Sequence, residues 1–302
     1  LEREPYIDMV IGPQSYHKIG DLILNYQRKK QKINATEFDV IKKFDELEKV
    51  SNSQNKISAY LTIQEGCDKF CHFCVVPYTR GAEYSRPFNQ IINEAHNLIS
   101  NGAREIILLG QNVNAWKGQN IDGKDLSFGK LLEKIASFDE ILSIRYTTSH
   151  PLDMDIELLN AHKNLEKLMP YIHLPIQSGS DQILKKMNRR HTVKDYLKII
   201  EKIRRYKPDI AISSDFIVGF PGETEQDHKQ TLKLIDEVKF SSSFSFKYSQ
   251  RPGTPSANLK SQVDEETKKE RLKELQYLLK KQQFKYNRSF LKSSVKVLII
   301  NV

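Results

Sequence analysis

Long apolar runs are missing from this 302-residue chain: none approaches the ~18 residues that span a bilayer. A helical membrane segment is therefore not expected. The first residues, Leu1-Glu2-Arg3-Glu4-Pro5, hold no apolar stretch of the secretory type. Cysteine is scarce, with three in all. So few thiols, in odd number and in so long a chain, exclude the disulfide framework of a small secreted domain. The rest is ordinary for a globular protein, with 39% hydrophobic and 28% charged residues and enough length for a large core. Lys and Arg number 47 against 38 Asp and Glu, leaving a net charge of +9. That sign favours a polyanionic partner such as RNA, although a merely Lys-rich composition would give it too.

The three cysteines are not scattered. They lie in Gly66-Cys67-Asp68-Lys69-Phe70-Cys71-His72-Phe73-Cys74, a C-x-x-x-C-x-x-C spacing. Thiolates at this density bind soft metal, either zinc or an iron–sulfur cluster. A closed zinc site or a closed cubane takes four protein ligands, so three leave one position open to chemistry. His72 could complete a zinc site, but it sits between two of the cysteines, where a short loop can hardly wrap all four around one ion. The open iron–sulfur site is the favoured reading, ahead of zinc and of inert thiols. Clustered thiols without a secretory signal point to a cytoplasmic setting.

Along the chain, residues 1–25 carry short apolar runs that read as the tail of a preceding α/β unit. Residues 26–56 are polar and aperiodic, and read as a linker. From 57 to 291 strands alternate with amphipathic helices. Strands are expected at Ala59–Ile63, Glu105–Gly110, Ile144–Thr148, Tyr171–Leu174, Ile210–Val218 and Phe244–Tyr248. Helices are expected between them, among them Val193–Tyr206 and a helix capped by Thr224 with Asp227 three residues on. About six β-α units predict an α/β fold, a partial (β/α)6 TIM-like barrel. Ligands then sit at the C-terminal strand ends. The cysteine loop, Gly110-Gln111-Asn112, Thr148-Ser149-His150, Pro175 to Ser180 and Val218 to Glu223 all fall there. From Glu265 to about Leu291 runs a basic helix, docked by Leu272, Leu275 and Leu279, its charge read chiefly as a solvated face. Residues 292–302 read as the first strand of a further domain.

These residues resemble a family. Cys67-x-x-x-Cys71-x-x-Cys74, with Phe73 before the last cysteine, is similar to the radical S-adenosylmethionine (SAM) superfamily. Val75-Val76-Pro77-Tyr78-Thr79-Arg80-Gly81, Gly110-Gln111-Asn112-Val113-Asn114-Ala115-Trp116, His173 to Ser180, Ser214 to Thr224 and Arg251 to Pro255 resemble its methylthiotransferases. The resemblance covers about residues 58–290. It implies a [4Fe-4S] cluster held by Cys67, Cys71 and Cys74, with SAM on the open iron. One electron then cleaves the sulfonium, and the resulting 5′-deoxyadenosyl radical takes hydrogen from an aromatic C–H. Gln111 and Asn112 are candidates for the amino acid end of SAM, Gln177 and Ser178 for its ribose, and Gly219 and Gly222 for close approach to its adenine. Within the family the words around Tyr78 and Trp116 are most similar to the branch that methylthiolates C2 of N6-isopentenyladenosine at position 37 of tRNA, next to the anticodon. The implied partners are tRNA, SAM and an electron donor, with no membrane and a monomeric protein. A sister enzyme acting on a ribosomal protein or on threonylcarbamoyl-adenosine tRNA is the near alternative. A non-catalytic, zinc-stapled RNA-binding protein is the distant one.

Family members carry a second cluster on three N-terminal cysteines, absent from this chain, and end in a small RNA-binding β-barrel. The resemblance therefore implies a catalytic core with truncated flanks, able to bind one cluster and cleave SAM but not to thiolate RNA. His150 and His173 are expected to be satisfied by local hydrogen bonds rather than to act in catalysis. Trp116 and Tyr78 could stack on a flipped base, but packing against the barrel rim is the expected role for both.

Overall fold

The computed structural model describes residues 4–36, 56–120 and 122–300. Its first unit is a small β-α-β element. Strand β1 (Met9–Ile11) leads through a short 3-10 turn into helix α1 (Ile19–Lys29) and then strand β2 (Ile33–Ala35), which pairs parallel with β1. The α/β tail expected over 1–25 thus continues to Ala35, into residues read as linker. The remainder of that linker, 37–55, lies outside the described residues.

Six parallel strands follow in two runs of three. The first run is β3 (Ser58–Thr62), β6 (Glu105–Leu109) and β9 (Ser143–Tyr146). The second is β10 (Tyr171–His173), β11 (Ala211–Val218) and β12 (Ser242–Lys247). A parallel bridge from Ile144 to Leu168 joins the runs, with Ile144 N donating to Lys167 O at 2.7 Å and Met169 N to Ile144 O at 3.0 Å. Among the described residues β3 and β12 are not paired to each other, so the arc is open. This is the partial six-stranded barrel the sequence predicts. Two small antiparallel pairs lie outside the arc: β4 (Gln64–Glu65) with β5 (Tyr84–Ser85), and the hairpin β7 (Lys117–Gln119) and β8 (Asp125–Ser127).

The helices are α2 (Val76–Arg80), α3 (Phe88–Ser100), α4 (Phe128–Ala136), α5 (Ile156–Asn164), α6 (Asp181–Lys186), α7 (Val193–Tyr206), α8 (Glu225–Val238) and α9 (Glu265–Arg288). Each long helix buries one stripe against the sheet. In α3 the stripe is Ile91, Ala95, Leu98 and Ile99, the i, i+4, i+7 spacing of an amphipathic helix. These stripes meet Leu61, Ile106, Leu108, Ile144, Ile172 and Ile212 in one continuous core. Thr224 caps α8 with both arms of a capping box to Asp227, as expected from the sequence, and Thr192 does the same for α7 with Asp195. Among the described residues no helix is long and apolar enough to cross a membrane.

Helix α9 departs in part from its sequence reading. Leu275 and Leu279 are buried as expected, but so are Lys268 and Arg271. Arg271 Nη1 lies 2.9 Å from Glu223 Oε1 and 3.1 Å from Glu223 O. Glu223 Oε1 also accepts from Gly219 N at 2.9 Å. The pair therefore fixes the turn after β11, at the C-terminal end of the barrel. Breaking a buried pair leaves the survivor unpaired, so Arg271→Ala is expected to cost about 3–5 kcal/mol. A denaturant titration of the variant checks this. Residues 294–300 form no strand here, because the edge expected to extend into a further sheet finds no partner strand among the described residues; 301–302 lie outside them.

Candidate functional site

Strand direction gathers the polar motifs. Because all six strands run parallel, their C-terminal loops share one mouth. The cysteine loop follows β3 and β4, Gly110-Gln111-Asn112 follows β6, Thr148-Ser149-His150 follows β9, and Pro175 to Ser178 follows β10.

The cysteine loop is bent into place by glycine and by borrowed hydrogen bonds. Gly66 has φ +76, and a Cβ there would lie 2.0 Å from Ala82 O, so only glycine fits. Gly66 N donates to Gln111 Oε1 at 2.8 Å. Gln64 Oε1 accepts from the amides of Gln111 and Asn112 at 2.9 and 3.0 Å, while its Nε2 donates to Gly66 O at 2.7 Å. The first two strand ends are thus stitched together. On the other side His72 N donates to Met187 O at 3.0 Å, and Ser256 Oγ to His72 O at 2.8 Å. Buried Glu65 accepts from Arg80 Nη1 at 2.9 Å and from Gln14 Nε2 at 3.0 Å, so the N-terminal unit is tied to the base of the loop.

Cys67, Cys71 and Cys74 are free thiols, and all three line one cavity of about 350 Å³. Gly110, Gln111, Asn112, Ser149, His150, Gln177, Arg189 and Asp215 share its walls. Burial pushes the Cys67 thiol up to about 11 and raises Cys74 as well. Arg189, itself buried, places Nη1 3.5 Å from Cys71 Sγ and also donates to Pro175 O. Asn112 Oδ1, Ser149 Oγ and His150 Nε2 are buried without a partner among the described residues. Buried polar atoms are nearly always satisfied, so three at one wall point to a polar ligand. The donor set suits a cluster with one open position: thiols, a nearby cation and unspent hydrogen-bonding capacity around them. His72 places its Nδ1 2.8 Å from Lys186 O. A larger hollow of about 560 Å³ opens under the β7–β8 hairpin, but it holds no thiol.

The other predicted residues divide. Gln111, Asn112 and Gln177 line the cavity. Gln111 Oε1 is occupied by Gly66 N, and Asn112 Nδ2 donates to Asp153 Oδ2 at 2.8 Å, leaving its Oδ1 free. Gln177 holds a left-handed backbone, φ +80, at the cavity wall. Ser178, Gly219 and Gly222 do not line it. Ser178 Oγ caps Ser180 N at 3.2 Å and faces Thr231. The open side of Gly219 is covered by the Lys268 stem, and that of Gly222 by Lys186 Nζ. His173 is satisfied locally, by Ser213 Oγ at 2.6 Å and Asp215 Oδ1 at 3.3 Å. His150 is only half satisfied, accepting from Leu152 N at Nδ1; burial, Arg189 and Lys69 hold its imidazole far below the usual range. Trp116 is packed as expected, its Nε1 donating to Arg86 O at 3.0 Å. Tyr78 is not: it stands 48% exposed, because α2 presents it outward from the barrel rim. Lys69, Asp153, Arg189 and Asp215 are lone charges that no spacing signal singles out in the sequence; Asp215 lies within β11 and the other three outside the strands.

The sequence pattern of the radical SAM superfamily matches residues 61–235. A tRNA-2-methylthio-N6-dimethylallyladenosine synthase of Pelagibacter ubique is 56% identical over 301 residues, covering 100% of this chain and 67% of that protein. The protein of the same name from Agrobacterium fabrum is 52% identical, covering 99% and 66%. The chain thus spans about two thirds of the length of these relatives. Among solved structures, coproporphyrinogen III oxidase of Escherichia coli, described as a radical SAM enzyme, superposes with TM-score 0.54 at 15% identity, covering 79% of this chain and 56% of that one. A radical SAM methyltransferase of Kitasatospora setae superposes with TM-score 0.54 at 16% identity, covering 66% and 38%. At such identities these two speak to the fold alone.

Proposed function

The chain belongs to the radical SAM superfamily and, within it, to the tRNA-2-methylthio-N6-dimethylallyladenosine synthases, and from that premise we propose that it carries the core of methylthio transfer to C2 of N6-dimethylallyladenosine beside the tRNA anticodon. The observation that carries this reading is the meeting of all three thiols with unpaired polar atoms in one strand-end cavity. Cys67, Cys71 and Cys74 would hold a [4Fe-4S] cluster, with SAM at the remaining iron. Bound there, the pair supplies one-electron cleavage of the sulfonium, and so a means of activating an aromatic C–H that no acid–base pair could attack. That step draws on an external one-electron donor.

The chain's own residues position and shield. Gly66, held by Gln64 and Gln111, sets the bend that turns the thiols inward. Arg189 offers an N–H to the Cys71 sulfur and a positive charge to the thiolates. Asn112 Oδ1, Ser149 Oγ and Gln177 are the groups available to the amino acid and ribose parts of SAM. Because ligation needs thiolates and burial raises Cys67 and Cys74, cluster assembly must release protons to solvent. The finer substrate assignment rests on the named relatives. Mass spectrometry of tRNA nucleosides from a strain lacking the gene tests it. N6-dimethylallyladenosine should accumulate and its 2-methylthio derivative should vanish. An unchanged nucleoside profile, with a ribosomal protein losing a methylthio group instead, would select the sister activity.

A further inference from the structure

Positive φ is uncommon outside glycine and marks strain that the surroundings must hold. Among the described residues seven non-glycine residues show it. Lys30 and Lys239 cap the C-termini of α1 and α8, and Lys292 lies in the turn after α9. The remaining four, Phe70, Gln177, Asn188 and Arg190, gather at the barrel mouth. Gln177 faces the cavity. Two of the other three form one joint, with Arg190 two residues on: Asn188 Nδ2 donates to Phe70 O at 2.9 Å, next to the bond from His72 N to Met187 O.

The joint holds Phe70, φ +48, with its ring 46% exposed, one residue before buried Cys71. A ring kept in a costly backbone state and yet left in solvent is not there for the core. Tyr78, 48% exposed, meets it edge to face, with centroids 6.4 Å apart and planes at 78°. Lys185 and Arg190 stand exposed on the segment tethered to Phe70. Nearby Asp68 is occupied by Glu83 N at 3.0 Å. Aromatic faces beside cations are what single-stranded RNA loops are read by: bases stack, and phosphates pair with the cations.

We propose that Phe70 and Tyr78 form a stacking platform for a base adjoining the target adenosine, with Lys185 and Arg190 contacting that loop's phosphates. The proposal rests on the RNA substrate proposed above. The test is binding of a prenylated anticodon stem–loop carrying 2-aminopurine beside the target adenosine, followed by fluorescence and by anisotropy at several salt concentrations. The cluster-loaded protein should quench the probe. The Phe70→Ala/Tyr78→Ala variant should lose the quench and bind about 10–100-fold more weakly, the range of one or two stacked bases. Phe70→Tyr should retain both. Phe70→Gly, which suits the left-handed backbone, should keep its melting temperature and iron content while losing the quench, separating the platform from a folding role. Lys185→Ala/Arg190→Ala should flatten the slope of log Kd against log salt by about 1.4, at ~0.7 per phosphate contact. The charge-matched pair Lys280→Ala/Lys281→Ala on α9 should leave it unchanged. Wild-type binding that the aromatic substitutions do not alter would overturn the platform. An equal change of slope from the α9 pair would overturn the placement of the phosphate contacts. Failure of the wild-type protein to bind the stem–loop at all would overturn the RNA reading along with the platform.

Discussion

Replacing any one of Cys67, Cys71 or Cys74 by alanine is expected to take the chain from about four irons to nearly none and to abolish SAM cleavage. The three thiols share one cavity, and the chain contains no other cysteine. Iron analysis after anaerobic reconstitution, with release of 5′-deoxyadenosine as the second readout, checks the outcome. Serine variants should behave like alanine, since a hydroxyl is a poor replacement for a soft thiolate. The overall fold should survive, because the core of strands and helices is assembled from other residues. An unchanged thermal transition in the apo protein would show that the loss is one of ligation.

Gly66→Ala is expected to be nearly as damaging by another route. At φ +76 the added Cβ meets the backbone of one neighbouring segment: Ala82 O at 2.0 Å and Gly81 O at 2.7 Å. Neither is a flexible side-chain tip that could move away. Strain at a left-handed position and overpacking each cost about 1–3 kcal/mol, so a total of about 3 kcal/mol or more is expected. In the same turn Gly66 N donates to Gln111 Oε1 and Gly66 O accepts from Gln64 Nε2, so its displacement also separates the first two strand ends. Chemical denaturation should show the loss of stability, and iron loading should fall with it. Stability and loading equal to wild type would mean that the turn does not set the cysteine loop.

The barrel was legible because its signals are local and repeated. Parallel strands such as Glu105–Leu109 are continuous apolar runs, and helices such as Val193–Tyr206 announce themselves by spacing and caps. The cysteine loop was legible because its spacing is itself the chemistry. Less legible were features that depend on what lies across space. Ser178 and Asn112 are both polar residues in strand-end loops, yet Ser178 turns to Thr231 while Asn112 keeps an unpaired oxygen at the cavity. Nothing in their neighbours along the chain distinguishes them. Gly219 and Gly222 have the backbone freedom expected of them, but Lys268 and Lys186 fill the space above. Those lysines are 49 and 36 positions away, respectively. Lys268 and Arg271 looked like one more turn of a solvated basic face, and it took the position of Glu223, on another element, to bury Arg271. Helix α6, six residues long, was too short to show a period.

The central proposal is that three thiolates hold a cluster whose fourth iron is open to SAM. The most direct measurement is electron–nuclear double resonance on the reduced, reconstituted protein with SAM isotopically labelled at its carboxylate and amino groups. Hyperfine coupling to both labels is expected, with a shift of the cluster's signal when SAM is added. Stoichiometric zinc without iron, or a cluster whose spectrum SAM leaves unmoved, would contradict it.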